Sequence, residues 1–170
     1  MTYRKSKERH ERARAVPPEP DASGIDLRAL DGLAGFLIRM VQLRMFQAFH
    51  ARFAASGLNP GALCALVAIG ANPRVRSGAL GDALLIKRSN MTKLVDALER
   101  QGLVKRTPSN LDRRSVELRL TEAGRARIAA ALPQVTAYEE EALRPLSMHE
   151  GRVLIGLPGK LNEGMARSTV

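Results

Sequence analysis

The sequence predicts a mainly helical protein that carries one small β-hairpin. Over most of the 170 residues, apolar side chains recur at steps of three and four, which is the period of amphipathic helices. Two short stretches, 103–107 and 115–120, instead fit strands, and they flank a loop rich in turn residues. The basic residues concentrate in the helix before this hairpin and in the hairpin itself.

Three helices are predicted in the first half of the chain. The first covers 25–53. Asn59, followed by proline, begins a second helix over 61–70 that is apolar on most sides, so we expect it to be buried. After a turn, Ser77 is the expected N-cap of a short third helix over 79–85.

The fourth helix, over 88–101, is strongly two-sided. Gly102 follows it at the position where a left-handed C-cap residue is expected. An apolar stripe is expected to face the core and consists of Met91, Leu94, Val95 and Leu98. The opposite face is polar and hydrogen-bonding, and comprises Ser89, Asn90, Thr92, Lys93, Asp96, Ala97 and Arg100.

The second strand alternates strictly, so Val116, Leu118 and Leu120 are predicted to point one way, and Glu117 and Arg119 the other.

Two further helices are predicted after the hairpin. Thr121 caps a fifth helix that runs to residue 142 and is kinked or interrupted at Pro133. Ser147 and Glu150 have the spacing of a capping box and open a last helix, which Pro158 and its neighbouring glycine are expected to shorten.

The net charge of +10 is unevenly distributed. Residues 1–14 hold six basic and two acidic side chains, residues 87–119 hold nine and four, and the rest is nearly neutral. Such a balance favours a polyanionic partner. Aromatic residues make up only 4% and tryptophan is absent, which argues against binding single strands by base stacking.

Composition also indicates where in the cell the protein is expected. The longest purely apolar run, 62–69, is far shorter than the roughly 18–20 residues of a membrane span, and no apolar stretch follows the basic start as in a secretory signal. With a single cysteine, no intramolecular disulfide can form. We therefore expect a cytoplasmic protein without a membrane partner.

The N-terminal residues 1–24 have almost nothing apolar to bury and are predicted to be a mobile, proline-containing arm. One interpretation is a solvated terminus without function. The alternative is an arm that adds phosphate contacts without reading sequence.

Together, residues 60–120 predict a winged helix-turn-helix that binds double-stranded DNA. A polar helix fits the major groove, and a basic hairpin tip can reach the adjacent minor groove. The alternatives are an ordinary exposed helix face and a charged surface loop. The candidate contact residues are Ser77, Arg88, Ser89, Asn90, Thr92 and Lys93 around the helices, with Asn110, Arg113 and Arg114 on the hairpin.

These segments resemble the MarR family of bacterial transcriptional regulators. The likeness rests on the helix and strand over 88–106, on Asp112-Arg113-Arg114, and on Leu120-Thr121-Glu122-Ala123-Gly124. The resemblance implies a homodimer built from helices within 25–57 and 121–163, with Asp112 shaping the wing through ion pairs. Leu85 departs from the family, since many relatives have a turn glycine there, and Pro158 interrupts the final helix.

The resemblance also implies a pocket for a small-molecule effector beside the first helix. Polar side chains interrupt that helix, and we assign Arg39, Gln42 and His50 as candidate effector-binding residues. An anionic aromatic compound or an acyl thioester is the implied ligand class. The alternative is that these residues form the solvated or interfacial face of an amphipathic helix.

Cys64 lies in an apolar run and is predicted to be a buried, inert thiol. Some relatives sense oxidants through a cysteine, but theirs lies in the first helix, where this chain has none.

The sequence thus predicts a homodimeric repressor that binds a pseudo-palindromic operator and is released by a small effector. The alternative is a non-specific architectural DNA-binding protein. An enzyme is not expected, because the sequence has no paired carboxylates at a plausible site, no metal-ligand cluster and no phosphate-binding glycine loop, and no cofactor is implied.

Overall fold

The computed structural model describes residues 24–108 and 116–168, which divide into one unit ending at Ala48 and a second beginning at Phe49. Seen in chain order, the elements are α1 (Ala34–Phe53), α2 (Pro60–Ala71), β1 (Val75–Arg76), α3 (Ser77–Ala83), α4 (Arg88–Arg100), β2 (Val104–Pro108), β3 (Val116–Leu120), α5 (Glu122–Leu143) and α6 (Met148–Ser168). Short 3-10 turns cover Arg28–Leu30 and Ala54–Ser56.

The first unit corrects the predicted start of the first helix, which begins at Ala34 rather than at residue 25. The Asp26 carboxylate accepts hydrogen bonds from the Arg28 guanidinium at 2.8 Å and the Arg28 backbone N–H at 3.0 Å. These bonds lower the pKa of Asp26 to about 2. A side chain that binds nearby backbone favours a local turn over a helix, and here a 3-10 turn precedes α1.

The second unit is held by a core in which α2, α4, β2 and β3 meet. The Asn59 side chain accepts from the Ala62 N–H at 2.8 Å and caps α2 as predicted. The predicted apolar stripe of α4 is buried at Met91, Val95 and Leu98. The largest fully buried side chains are Leu66, Ile69, Met91, Leu98, Leu118, Val95 and Val104.

The second helix is buried on one face only, which corrects two predictions. Leu66 and Ile69 are 0% and 1% exposed, whereas Val67 is 38% exposed and Cys64 is exposed. Positions 64 and 67 are one turn apart and therefore share the other face of the helix. An apolar composition all round did not imply burial all round, and Cys64 is not the buried thiol that the sequence predicted.

The turn into the recognition region differs from the prediction at its start. Ser77 is the first residue of α3 rather than its N-cap, and Arg76 occupies the cap without a side-chain hydrogen bond. The reason is that Val75 and Arg76 pair with β3 as a short strand, which sequence analysis missed because two residues carry no periodicity. Leu85 adopts φ +54°, the left-handed conformation for which a glycine is usual.

The three strands form an antiparallel sheet in the order β1-β3-β2. Leu118 is fully buried, but Glu117 is also only 5% exposed and Val116 is 45% exposed, so the predicted alternation of β3 is wrong there. Glu117 is covered because its strand is central and because Arg74 lies against its carboxylate, with Nε 2.7 Å from Oε2.

The last two helices begin as predicted. Thr121 caps α5 by accepting from the Gly124 N–H at 3.0 Å, and Ser147 and Glu150 form the expected capping box. Pro133 lies inside α5. The predicted shortening of the last helix is wrong, since α6 continues through Pro158 to Ser168. A proline removes one backbone donor, and the other turns of this long helix remain intact.

No single helix in the described residues has the length and apolar character to cross a membrane; only the bent pair of 34–56 and 60–71, taken together, meets those criteria.

Candidate DNA-binding surface

The polar face of α4 is available to a ligand. Its apolar stripe anchors the helix in the core, and this orientation leaves the opposite side in solvent. The Thr92 hydroxyl donates to the Arg88 carbonyl at 3.0 Å, which fixes its rotamer and leaves its oxygen lone pairs outward. The exposed side chains on the first turns are Arg88, Ser89, Asn90, Thr92 and Lys93. All five predicted helix contacts therefore share one accessible surface.

The N-terminus of α4 is unusually positive. Lys87 occupies the N-cap without a side-chain cap hydrogen bond, Arg88 follows, and no acidic residue lies in the first turn. Helix N-termini carry a partial positive charge and ordinarily favour acidic or hydroxyl neighbours. Cations at this position strengthen the attraction for phosphate. Lys87 and Arg76, the N-cap residues of α4 and α3, are further candidate contacts that sequence analysis missed, and basic residues at both helix starts were the available signal.

Both acidic residues of α4 pair with a basic residue on a neighbouring strand. Arg106 on β2 places Nη2 2.5 Å from Oδ1 of Asp96 and also forms an ion pair with the Glu99 carboxylate. Its backbone N–H donates to Glu99 as well, at 3.3 Å. The pKa of Arg106 is raised, chiefly by its hydrogen bond to Asp96. This ion triad (Asp96, Glu99 and Arg106) halves the negative charge that the two acids place on the helix, because one guanidinium offsets one of the two carboxylates.

The remaining candidate residues do not belong to α4. Ser77 is half-buried at the start of α3. Arg39 and Gln42 are exposed on α1 in the first unit, and His50 is exposed in the second. The predicted wing residues Asn110, Asp112, Arg113 and Arg114 lie outside the described residues.

Comparison with known proteins agrees with this arrangement. The MarR family model matches residues 56–115. A putative transcriptional regulatory protein for the hcr operon from Thauera aromatica is 31% identical over 149 residues, covering 87% of this chain and 90% of that protein. The chain belongs to the MarR family. As a member, it is a transcriptional regulator that binds DNA.

Solved MarR-type structures share the fold. The transcriptional repressor CouR, bound to a 23-mer DNA duplex, is 32% identical with a TM-score of 0.76, covering 81% of this chain and 98% of that one. A probable transcriptional regulator from Pseudomonas aeruginosa is 31% identical with a TM-score of 0.72, covering 78% and 98%. The residues that the family model matches include α2, β1, α3, α4 and β2 of this MarR-family chain.

Proposed function

We propose that this MarR-family regulator is a homodimeric repressor that reads a pseudo-palindromic operator with α4 and leaves it when a small ligand binds. The observation that carries the DNA-reading part is the exposed polar face of α4, with its basic N-terminus and its acids held by Arg106. Hydrogen-bonding side chains reach base edges, whereas phosphate contacts alone carry no sequence information.

A homodimer is supported by an uncovered apolar stripe on α6. Leu154, Leu157, Leu161 and Met165 recur at steps of three and four and are 43%, 48%, 51% and 69% exposed. An open groove of about 470 Å³ at the start of this helix is lined by Leu146, His149, Glu150, Val153, Leu154 and Leu157. Exposed apolar surface of this extent marks an interface. Pairing of two protomers about a two-fold axis buries this surface on both of them.

The dimer is tested by mass and by surface variants. Sedimentation of the purified chain should give twice its 18.5 kDa. Leu157→Glu together with Leu161→Glu should give monomers, because each charge would be buried without a partner. A monomeric parent protein would contradict the proposal.

Operator reading is tested with two duplexes, one from the promoter region of the protein's own gene and one with the same bases scrambled. Fluorescence anisotropy at fixed salt should show preference for the promoter duplex. Asn90→Ala should reduce that preference, whereas Lys93→Gln should weaken binding to both duplexes. Equal affinity of the parent protein for both duplexes would instead indicate an architectural DNA-binding protein.

Release by an effector is explained by the spacing of the two recognition helices in the proposed dimer. Two recognition helices must lie about 34–36 Å apart to enter successive major grooves, so a ligand that stabilises another spacing lowers affinity. The exposed cation Arg39, with Gln42 one turn away on α1, supports an anionic ligand. Aromatic acids and acyl thioesters should raise the melting temperature and dissociate the complex, and Arg39→Ala should abolish both effects. A panel without any shift would refute this ligand class.

A further inference from the structure

Two cations lie directly opposite each other on the outer face of the sheet. Lys105 on β2 and Arg119 on β3 are register partners in an antiparallel pair, and both are exposed. Side chains paired in this way stand about 4.5–5.5 Å apart at Cβ, and like charges at that spacing destabilise a sheet. Neither side chain forms an ion pair with an acidic group among the described residues. The repulsion between them is therefore not compensated within this part of the chain.

The neighbouring row on the same face does not supply the missing negative charge. Arg76 on β1 and Thr107 on β2 flank Glu117 in register. Glu117 is the one acid of this face in the described sheet, and it is buried against Arg74, which donates to it at 2.7 Å. The pKa of Arg74 is raised by this hydrogen bond. The exposed charge of the outer face is consequently positive, carried by Arg76, Lys105 and Arg119.

We propose that this outer sheet face, formed by Arg76, Lys105 and Arg119, binds DNA phosphates that flank the bases read by α4. The inference rests on the proposed operator binding and extends it to a second backbone contact. A polyanion is the occupant because its negative charges would offset the repulsion between the paired cations. Glu117, the acid on this face, does not do so because it is buried against Arg74.

Position in the fold favours DNA over another acidic partner. The cation pair lies on the two strands that flank residues 109–115, a segment whose sequence includes Arg113 and Arg114. Lys105 lies three residues before the last residue of β2, or about 10 Å along an extended strand. That distance is close to one Debye length at about 0.1 M salt. A hairpin that approaches a groove with its tip therefore carries its base alongside the adjacent backbone.

The test compares the salt dependence of DNA affinity in matched variants. Lys105→Gln with Arg119→Gln removes the pair, and Arg152→Gln with Lys160→Gln removes the same charge from exposed positions on α6. Each lost phosphate contact lowers the slope of log affinity against log salt by about 0.9, so losing both on two protomers lowers it by about 3–4. The probe is a promoter duplex of about 40 bp with its scrambled counterpart, long enough to include flanking phosphates.

We expect the sheet variant to lose slope and affinity on both duplexes while preference for the promoter is kept, and the α6 variant to change neither. Lys105→Glu distinguishes the loss of a phosphate contact from a loss of folding stability. It creates an opposite-charge pair with Arg119, so its melting temperature should be equal to or above that of the parent while its DNA affinity falls.

An unchanged slope in the sheet variant, or an equal loss in the α6 variant, would overturn the inference. Either result would leave operator binding intact, because the parent protein's preference for the promoter duplex is measured in the same titration. Absence of that preference in the parent would instead refute the proposed function.

Discussion

Replacing Arg106 should weaken DNA binding even if this residue never touches DNA. Arg106→Gln breaks both ion pairs of the triad and leaves Asp96 and Glu99 as uncompensated negative charges on the recognition helix. The three side chains are 31%, 48% and 39% exposed, so the pairs are partly solvated. Partly solvated pairs contribute about 0.2–1 kcal/mol each, which gives a loss of about 1 kcal/mol in unfolding free energy.

The effect on DNA affinity follows from Coulomb's law. A carboxylate about 10 Å from a phosphate is repelled by about 0.4 kcal/mol in water before salt screening. Screening at physiological salt reduces this to about 0.1 kcal/mol per phosphate. Arg106→Gln changes the charge by one unit, which acts on about four phosphates and therefore costs about 0.4 kcal/mol, or about twofold in affinity.

The assay is anisotropy with the promoter duplex, at a temperature well below the melting point of every variant. The triple variant Asp96→Asn, Glu99→Gln, Arg106→Gln removes the acids as well, and with them the excess negative charge of the parent, so its affinity should equal or exceed that of the parent protein. Arg125→Gln is the control, since it breaks an exposed pair with Glu122 away from α4. If the triple variant binds as weakly as Arg106→Gln, charge neutralisation is not what Arg106 contributes.

Three further predictions concern stability. Gly124→Ala would place Cβ 2.1 Å from the backbone oxygen of Leu103, so urea unfolding should show a loss of about 3 kcal/mol, whereas Gly78→Ala, with open space around it, should be nearly neutral. Leu85→Gly relieves the strain of a left-handed backbone, and it loses little buried apolar surface because the leucine side chain is 83% exposed. The unfolding free energy should therefore rise by about 0.5–1 kcal/mol, and a fall would show that the backbone at Leu85 is not strained. Hydrogen bonds from the capping serine lower the pKa of Glu150, so its contribution is present above the unfolded carboxyl pKa and lost as pH falls through the folded value. The difference in melting temperature between parent and Glu150→Ala should shrink on acidification, and a constant difference would argue against the cap.

Local rules predicted three helix caps and the bounds of α4 well, although Ser77 proved not to be a cap. Asn59, Thr121 and Ser147 cap their helices because each hydrogen bond closes within three residues, a distance that the sequence alone controls. The stripe of α4 is likewise local, because a 3.6-residue period puts Met91 and Val95 on one face in any fold.

Predictions failed where burial depends on distant partners. Cys64 is exposed because the core covers only one side of α2, and composition cannot say which side that is. Glu117 is buried because β1 and Arg74, far away in sequence, close over its strand. The domain boundaries, the DNA-contact residues and the effector residues stay predictions.

The sequence by itself determined that this chain is a winged-helix MarR regulator with a basic reading helix, since periodicity, caps and charge are properties of neighbouring residues. Only the tertiary structure revealed that Arg106 pairs with both acids of that helix and that Lys105 faces Arg119 across the sheet. Pairing between strands and helices depends on register and packing. Register and packing bring charged groups to within a few ångströms of each other, where they attract or repel. The spacing of residues along the chain does not specify these distances.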